Sequence, residues 1–156
     1  MENIKNLHQK LNMYFERFYN NFENIYIDDA VNFLSQNRID VLIKILYCEY
    51  FLNISPTKIN KTLYYFHLKK WNKKGFDAND SFKKNFNDYE NEFKKTINSI
   101  NNKGFDINES ILPIDKENKI IDGSHRLATS IVLEKKITVA KFLVESPHIT
   151  LQTIIK

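Results

Sequence analysis

Apolar side chains recur every three or four positions between residues 82 and 100, and this spacing predicts an amphipathic helix. The apolar positions of this segment are Phe82, Phe86, Tyr89, Phe93, Ile97 and Ile100. Asp77 or Asn79 can cap the start of the helix, and Gly104 can end it in a left-handed conformation. Periodicity and end signals agree here, so this is the best-defined element of the chain.

Helical spacing is also present at the N-terminus. The apolar positions are Ile4, Leu7, Leu11, Phe18 and Phe22, with either Tyr14 or Phe15 among them. Together they predict an amphipathic helix over residues 4–22. Asp28 and Asp29 are suitable N-caps for a second helix that begins near Ala30. The aromatic face of the first helix could be buried against the protein's own core or against a second copy of the chain.

Two further apolar segments fit both a helix and a strand. In residues 38–52, alternate positions and positions at helical spacing are both apolar. The length of this segment, which contains neither Gly nor Pro, favours a largely buried helix. Ser55 ends it, because the residue before a proline avoids the helical region. Residues 59–71 carry several apolar and aromatic side chains and leave both assignments open.

The last third of the chain changes to shorter apolar runs. The run SILPI, the polar segment DKEN and the run KII together predict a β-hairpin. Helical spacing resumes after Gly123, and the β-branched run ITVAKFLV predicts a strand. Helices followed by strand, strand, helix and strand indicate an α+β fold. We expect one domain, with a helical part over residues 1–56, a core over 57–145 and a tail over 146–156.

Composition limits the class of protein more than it limits the function. The 156 residues carry a net charge of +4 and are 42% hydrophobic, which fits one globular domain with a sizeable core. The charge permits anionic ligands but is too small to indicate nucleic-acid binding by itself. The one cysteine, Cys48, excludes an internal disulfide and suits a reducing compartment. No apolar run approaches the roughly 18 residues of a membrane span, so we expect a cytoplasmic protein without a membrane partner.

The segment KIIDGSHRLATS contains one of only three glycines in the chain and combines it with residues that bind anions. Gly123 follows an apolar run and precedes a predicted helix, whose N-terminus would present unpaired backbone N–H groups. Ser124 and His125 can donate hydrogen bonds, and Arg126 can hold two phosphate oxygens at once. The pattern therefore suits a bound phosphate. Taken alone, it is also typical of an ordinary helix start, with Asp122 as the N-cap.

Four pieces of the chain carry a family resemblance. INSINNKGF, ILPI, KIIDGSHRLATS and ITVAKF follow one another over residues 97–142. In order and spacing they resemble the ParB/sulfiredoxin-like superfamily, in which a strand ends in IDGxHR. Upstream, RIDVLIKILY, LYYFHLKKWN and SFKKNFNDYENEF are similar to extensions of family members encoded among surface-polysaccharide genes. The resemblance implies a small mixed sheet with helices over residues 57–145, preceded by an N-terminal helical extension.

The resemblance also implies a phosphate site at the turn. Family members bind phosphates, usually those of a nucleotide, at DGxHR, so Gly123, Ser124, His125 and Arg126 would be the phosphate-binding positions, with Asp122 beside them. Sulfiredoxin chemistry would need a cysteine where this chain has Ser124. The helix-turn-helix region of partition proteins does not fit into the short tail. The family's free-serine kinases have the most similar motif.

What the resemblance favours is a nucleotide-dependent small-molecule phosphotransferase, with a role in surface-glycan metabolism. ATP or CTP would be the donor, and Mg²⁺ would neutralise the phosphate charge. His125 would stabilise charge on the transferred group, and Asp122 would accept the hydroxyl proton. The alternative is a non-catalytic nucleotide- or phosphate-binding accessory protein, which would use the same residues. A nucleic-acid-binding ParB-like protein is a third hypothesis, but the strongly basic face or DNA-reading element that it needs is not evident.

Several residues outside the motif are weaker candidates. His67 lies in an upstream matching segment and could reach the pocket, although a histidine among aromatic residues is more typical of a packed core. Lys44 lies on an apolar segment, where it can extend to solvent or point at the ligand. The lysines around Trp71 are more typical of a solvated helix face, and no histidines stand at zinc-ligand spacing. Three further carboxylates remain open as the general base: Asp40, Glu49 and Glu109.

Overall fold

A computed structural model describes residues 20–71, 83, 85–106 and 110–145. Within these ranges the protein has a mixed α+β fold of four α-helices and a three-stranded sheet. In chain order the elements are β1 (Phe22–Asp29), a 3-10 helix (Ala30–Phe33), α1 (Ile39–Phe51), α2 (Lys58–Trp71), α3 (Phe86–Lys103), β2 (Leu112–Ile114), α4 (Ser124–Val132) and β3 (Lys136–Phe142). In this described part, no helix is both long and apolar enough to cross a membrane.

The central strand of the sheet is β3. It pairs with β1 antiparallel, where Tyr26 lies opposite Val139, and with β2 parallel, where Leu112 lies opposite the same residue. Four consecutive residues of β3, from Ile137 to Ala140, are buried. Burial on both faces explains why this strand is a continuous apolar run and not an alternating one.

Helix α4 lies where two apolar clusters meet. The first cluster joins the sheet to α1 and α4, and its buried members include Val41, Leu112, Leu127 and Val139. The second joins α1, α2 and α3, and its buried members include Tyr47, Tyr64, Phe93 and Ile97. Helix α4 contributes Leu127 to the first cluster, and its Val132 packs against the second. Helix α4 is therefore held by the sheet on one side and by the other helices on the other.

Helix α3 confirms the prediction from apolar spacing, although its cap differs. The Asn85 side chain accepts a hydrogen bond from the Asp88 N–H at 3.1 Å, and the Asp88 carboxylate accepts one from the Asn85 N–H at 3.2 Å. This reciprocal pair is a capping box. Gly104 ends the helix, as predicted, but its φ of 77° and ψ of −173° differ from the left-handed helical conformation of the usual cap. The two caps predicted from the sequence lie outside the described residues.

Both segments with ambiguous patterns are helices. Helix α1 confirms the preference for a largely buried helix over residues 38–52, and it ends at Phe51, ahead of Ser55. Helix α2 resolves the open assignment of residues 59–71. The helix predicted after Gly123 and the strand predicted in ITVAKFLV are also present, as α4 and β3.

The prediction of a helix that extends to Phe22, and of a second helix capped by Asp28 or Asp29, is wrong. Phe22 begins strand β1, and Asp28 and Asp29 lie in that strand and cap no α-helix. Only a four-residue 3-10 helix begins at Ala30. The cause is tertiary, because β1 is stabilised by pairing with β3, with Phe22 opposite Phe142. The remainder of the predicted first helix lies outside the described residues.

The predicted hairpin is formed only in part. Within the described chain, β2 meets the returning segment at a bridge between Ile114 and Ile120, and its ladder partner is β3. The polar turn is present: the buried Asp115 side chain accepts hydrogen bonds from the N–H groups of Glu117 and Lys119 at 2.9 and 2.8 Å. This turn returns the chain to the sheet just before the DGSHR segment.

Candidate functional site

The DGSHR segment is the turn that begins helix α4, and it depends on its glycine; the strand predicted just before it is reduced to the single bridge at Ile120. Gly123 has a φ of 88° and a ψ of 29°, in the left-handed region, and α4 begins at the next residue. A Cβ atom at this position would overlap the side chain of Leu112 and lie 2.9 Å from Nη2 of Arg126. The Leu127 N–H donates to the Gly123 carbonyl at 2.9 Å. The N–H groups ahead of it have no partner within the helix and carry the positive end of its dipole.

A buried lysine from α1 reaches this turn. Lys44 is only 6% exposed, and its Nζ donates to Ser124 Oγ at 2.6 Å and to Asp40 Oδ2 at 3.3 Å. Burial lowers the pKa of Lys44, and the charge of Asp40 opposes that shift. The sequence left two alternatives open for Lys44, namely extension to solvent or to the ligand site. In the structure the side chain extends to the turn.

Asp40 is held as an ion by two cations. Arg38 donates to its two carboxylate oxygens at 2.7 and 2.9 Å, and a third guanidinium N–H donates to the Ile120 carbonyl. Burial would raise the pKa of Asp40, but the Arg38 hydrogen bonds and the Lys44 charge outweigh burial and hold this pKa well below its usual range. A carboxylate bound in this way is a poor proton acceptor, which removes Asp40 from the candidates for a general base.

His125 is a neutral imidazole in an aromatic setting. Its Nε2 lies 2.9 Å from the Tyr64 hydroxyl, and its ring centroid lies 4.5 Å from that of Phe93. Burial, followed by the charges of Lys44 and Lys83, lowers the pKa of His125 well below its usual value. At neutral pH it therefore acts through hydrogen bonds and not through a positive charge.

Arg126 lines a cavity of about 330 Å³ that is closed on its other side by α3. One guanidinium N–H donates to Ser110 Oγ, and burial lowers the pKa of the group while Asp122 opposes the shift. Ser99 and Gly104 line the same cavity. Asp122 is half-buried, and its charge acts on both Arg126 and Lys44. The two cations of the site thus share this carboxylate as a neighbour.

His67 and Cys48 also lie near these groups. Burial and then the charge of Lys44 lower the pKa of His67 to about 4, while the charge of Asp40 opposes the shift. Cys48 is fully buried, and burial raises the pKa of its thiol to about 12, which makes it a poor nucleophile. Glu49 lies on α1, and Glu109 lies outside the described residues.

Three residues of the site were not recognised in the sequence: Arg38, Tyr64 and Ser110. Arg38 and Tyr64 lie far from the motif along the chain, and Ser110 opens the strand segment before it. The one available signal was the charge of Lys44 within an apolar helix, because a lysine on a buried face needs a partner. Asp40, one turn earlier on the same helix, is that partner, and it also binds Arg38.

Magnesium can be tested against these side chains. Within the described residues, no group of three or more His, Cys, Asp and Glu side chains comes together as a metal site. At the turn, Asp40 is bound by Arg38 and Lys44, so Asp122 is the carboxylate that could act as a ligand. One carboxylate together with phosphate oxygens and water is a usual donor set for Mg²⁺. A magnesium ion that arrives with a nucleotide therefore fits beside Asp122.

The unfolding free energy is expected to fall as the pH is lowered from about 7.5 to 5. The lowered pKa values of His67 and His125 keep both rings neutral in the folded protein, whereas in the unfolded chain they titrate near 6.5. The unfolded state therefore binds more protons below pH 6.5, and acid favours it. Urea unfolding at three pH values measures the effect. His67→Gln should flatten the dependence, and a wild-type curve that is level over this range would contradict the assignment.

Comparison of this chain with protein-family models, with curated proteins and with solved structures finds no match. The resemblance to the ParB/sulfiredoxin-like superfamily therefore stays a prediction from the motif and its flanking segments. The function has to be argued from the turn and the side chains around it.

Proposed function

We propose that this protein is a nucleotide-dependent small-molecule phosphotransferase that binds the donor phosphates at the DGSHR turn. The observation that carries the proposal is the buried ammonium of Lys44, 2.6 Å from Ser124 Oγ. Burying a lysine costs desolvation energy, and its neighbour Asp40 is already bound by Arg38. Around the first turn of α4, the described residues include three cations and two carboxylates. The cations are Arg38, Lys44 and Arg126, and the carboxylates are Asp40 and Asp122. A bound phosphate would balance the excess positive charge.

Arg126 extends the same positive region. Arg126 lines the 330 Å³ cavity, and the charge of Asp122 acts on both Arg126 and Lys44. A nucleotide carries several phosphate groups, and two cations from different helices can bind more than one of them. This arrangement favours a nucleotide over an isolated phosphate.

His125 and Asp122 are the proposed catalytic residues. Because Tyr64 occupies Nε2 of His125, the other ring nitrogen is the one that can stabilise the transferred group through a hydrogen bond. Asp122 is the acidic group of the motif and would accept the proton of the acceptor hydroxyl, with magnesium then held by the phosphates and water and not by this carboxylate. A bound magnesium ion would supply charge neutralisation on the phosphates. A sugar or another small hydroxylated metabolite is the acceptor class that the surface-polysaccharide resemblance suggests.

A phosphorus NMR time course tests this proposal. The protein is mixed with ATP or CTP, Mg²⁺ and a pool of sugars and small hydroxylated metabolites. We expect a new phosphoester resonance, which identifies the acceptor. Lys44→Met and Arg126→Ala should each lower its rate of appearance at least tenfold. Lys70→Met, on an exposed position of α2, is the matched control and should not change the rate.

Two outcomes would contradict the proposal. If neither nucleotide binds, the turn is an ordinary helix start. If a phosphoester forms at equal rates in the Lys44→Met variant and the wild type, then the activity does not come from this site.

A non-catalytic nucleotide-binding accessory protein is the second candidate, and one observation favours it. His125 is packed against Phe93 and held by Tyr64, which is also what a purely structural histidine would show. Line broadening of the nucleotide resonances without turnover, lost in Lys44→Met, would support this function over the first.

A further inference from the structure

A second cavity lies on α2, and no residue that lines it belongs to the DGSHR turn. Its volume is about 590 Å³, and it is formed by Tyr50, Lys58, Lys61, Tyr65, Phe66 and Phe86 among others. We infer that this cavity binds a planar aromatic ligand that carries a negative charge. The inference goes beyond the phosphotransferase proposal, because it uses different residues and a different surface.

The walls of the cavity are aromatic and accessible. Tyr65 contacts Phe86 at 5.0 Å between ring centroids and Phe66 at 5.7 Å, with interplanar angles of 78° and 66°. Edge-to-face contacts of this kind leave ring faces open for stacking. Phe66 is 58% exposed, although it lies in the middle of a helix. Clustered aromatic surface of this kind is typical of a ligand site.

The cations fix the charge of the ligand. Lys58 and Lys61 lie one helical turn apart and both line the cavity. The Lys61 ammonium forms an ion pair with Glu90 at 3.0 Å. The Glu90 carboxylate also pairs with Lys94 at 3.5 Å and accepts a hydrogen bond from the Tyr47 hydroxyl at 2.8 Å. Among the described residues that line the cavity, Lys58 and Lys61 are cations and none is acidic, so the lining carries positive charge. A neutral aromatic ligand would form no ion pair with these lysines, whereas an anionic ligand is attracted to them.

The volume agrees with a ligand of this class. Pockets for small molecules span about 300–1,000 Å³ and are mostly apolar with a few placed polar groups. The α2 cavity lies within this range and has that composition, with four aromatic rings and two lysines among its lining residues. It has room for a two-ring aromatic system with a charged substituent.

Two probes of the same shape test the inference in the full chain: naphthalene-2-sulfonate, which is anionic, and naphthalene-2-sulfonamide, which is neutral. In a ¹H–¹⁵N chemical-shift titration, we expect the amides of residues 58–66 to shift and the sulfonate to bind about fivefold more tightly. Replacing both lysines, Lys58→Gln and Lys61→Gln, should remove this difference. Phe66→Ala should weaken both probes by roughly tenfold.

The controls separate this site from the turn. Lys70→Gln lies on the same helix and does not line the cavity, so it should leave both affinities unchanged. Lys44→Met should also leave them unchanged, whatever it does to nucleotide binding. Equal affinity of the two probes for the wild type would overturn the inference. So would shifts of residues 58–66 that follow protein concentration and not the probe, because the face would then pair with a second copy of the chain.

Discussion

Gly123→Ala is expected to lower the unfolding free energy by about 2–5 kcal/mol, since a left-handed φ costs alanine about 1–2 kcal/mol and overpacking costs about 1–3 kcal/mol. The overlap is with the Leu112 side chain, which is fully buried. The new methyl group would also displace Arg126. We therefore expect nucleotide binding to be lost together with stability, as measured by urea unfolding and by nucleotide titration.

Gly104→Ala is the matched control for this substitution. Gly104 also has a positive φ, of 77°, but no atom lies within 4 Å of the Cβ position. It should lose only the backbone contribution, about 1–3 kcal/mol, and so measures how much of the Gly123→Ala effect comes from backbone strain. If Gly123→Ala kept wild-type nucleotide affinity, the turn would not be the binding site.

Asp40→Ala is expected to lower the unfolding free energy by about 3–5 kcal/mol, which is the usual cost of leaving buried charges without their partner. Both Arg38 and Lys44 would lose their carboxylate, and both are buried. Because the pKa of Asp40 is lowered in the folded state, its contribution is present above about pH 4 and is lost as the pH falls further. Wild type and variant should therefore converge in stability in strong acid.

Lys44→Met, compared with Asp40→Ala, separates the effect on nucleotide binding from the effect on stability. It leaves the Arg38–Asp40 ion pair intact and removes the cost of burying an ammonium, so stability should change by less than about 2 kcal/mol. Nucleotide binding should nevertheless be lost, because the cation beside Ser124 is gone. A Lys44→Met protein that unfolds like Asp40→Ala would show that Lys44 is a structural residue and would refute its role in the site.

The elements that could be predicted from the sequence are those whose evidence is local. The apolar spacing and the terminal glycine define α3, and the β-branched run defines β3. Strand β1 could not be predicted in this way, because its stability comes from pairing between Phe22 and Phe142 at opposite ends of the described chain. Its own residues, FENIYIDD, have no alternation that distinguishes them from a helix end.

The site divides in the same way. Gly123, Ser124, His125 and Arg126 are adjacent in sequence, so a motif can reveal them. Lys44 comes from a helix 80 positions earlier, and its contact with Ser124 follows from the packing of α1 against α4. A pattern of apolar positions predicts that such a helix is buried, but it does not predict which helix it will face.

The central position of β3 has a consequence for synthesis on the ribosome. Strands β1 and β2 leave the ribosome first, yet both form their ladders with β3. Until residues 136–142 emerge, the backbone groups of both strands lack their partner, and unpaired strands of this kind invite aggregation. A translational pause before Lys136 would therefore hold the nascent chain with its helices able to form and its sheet unable to, which is a state that chaperones recognise.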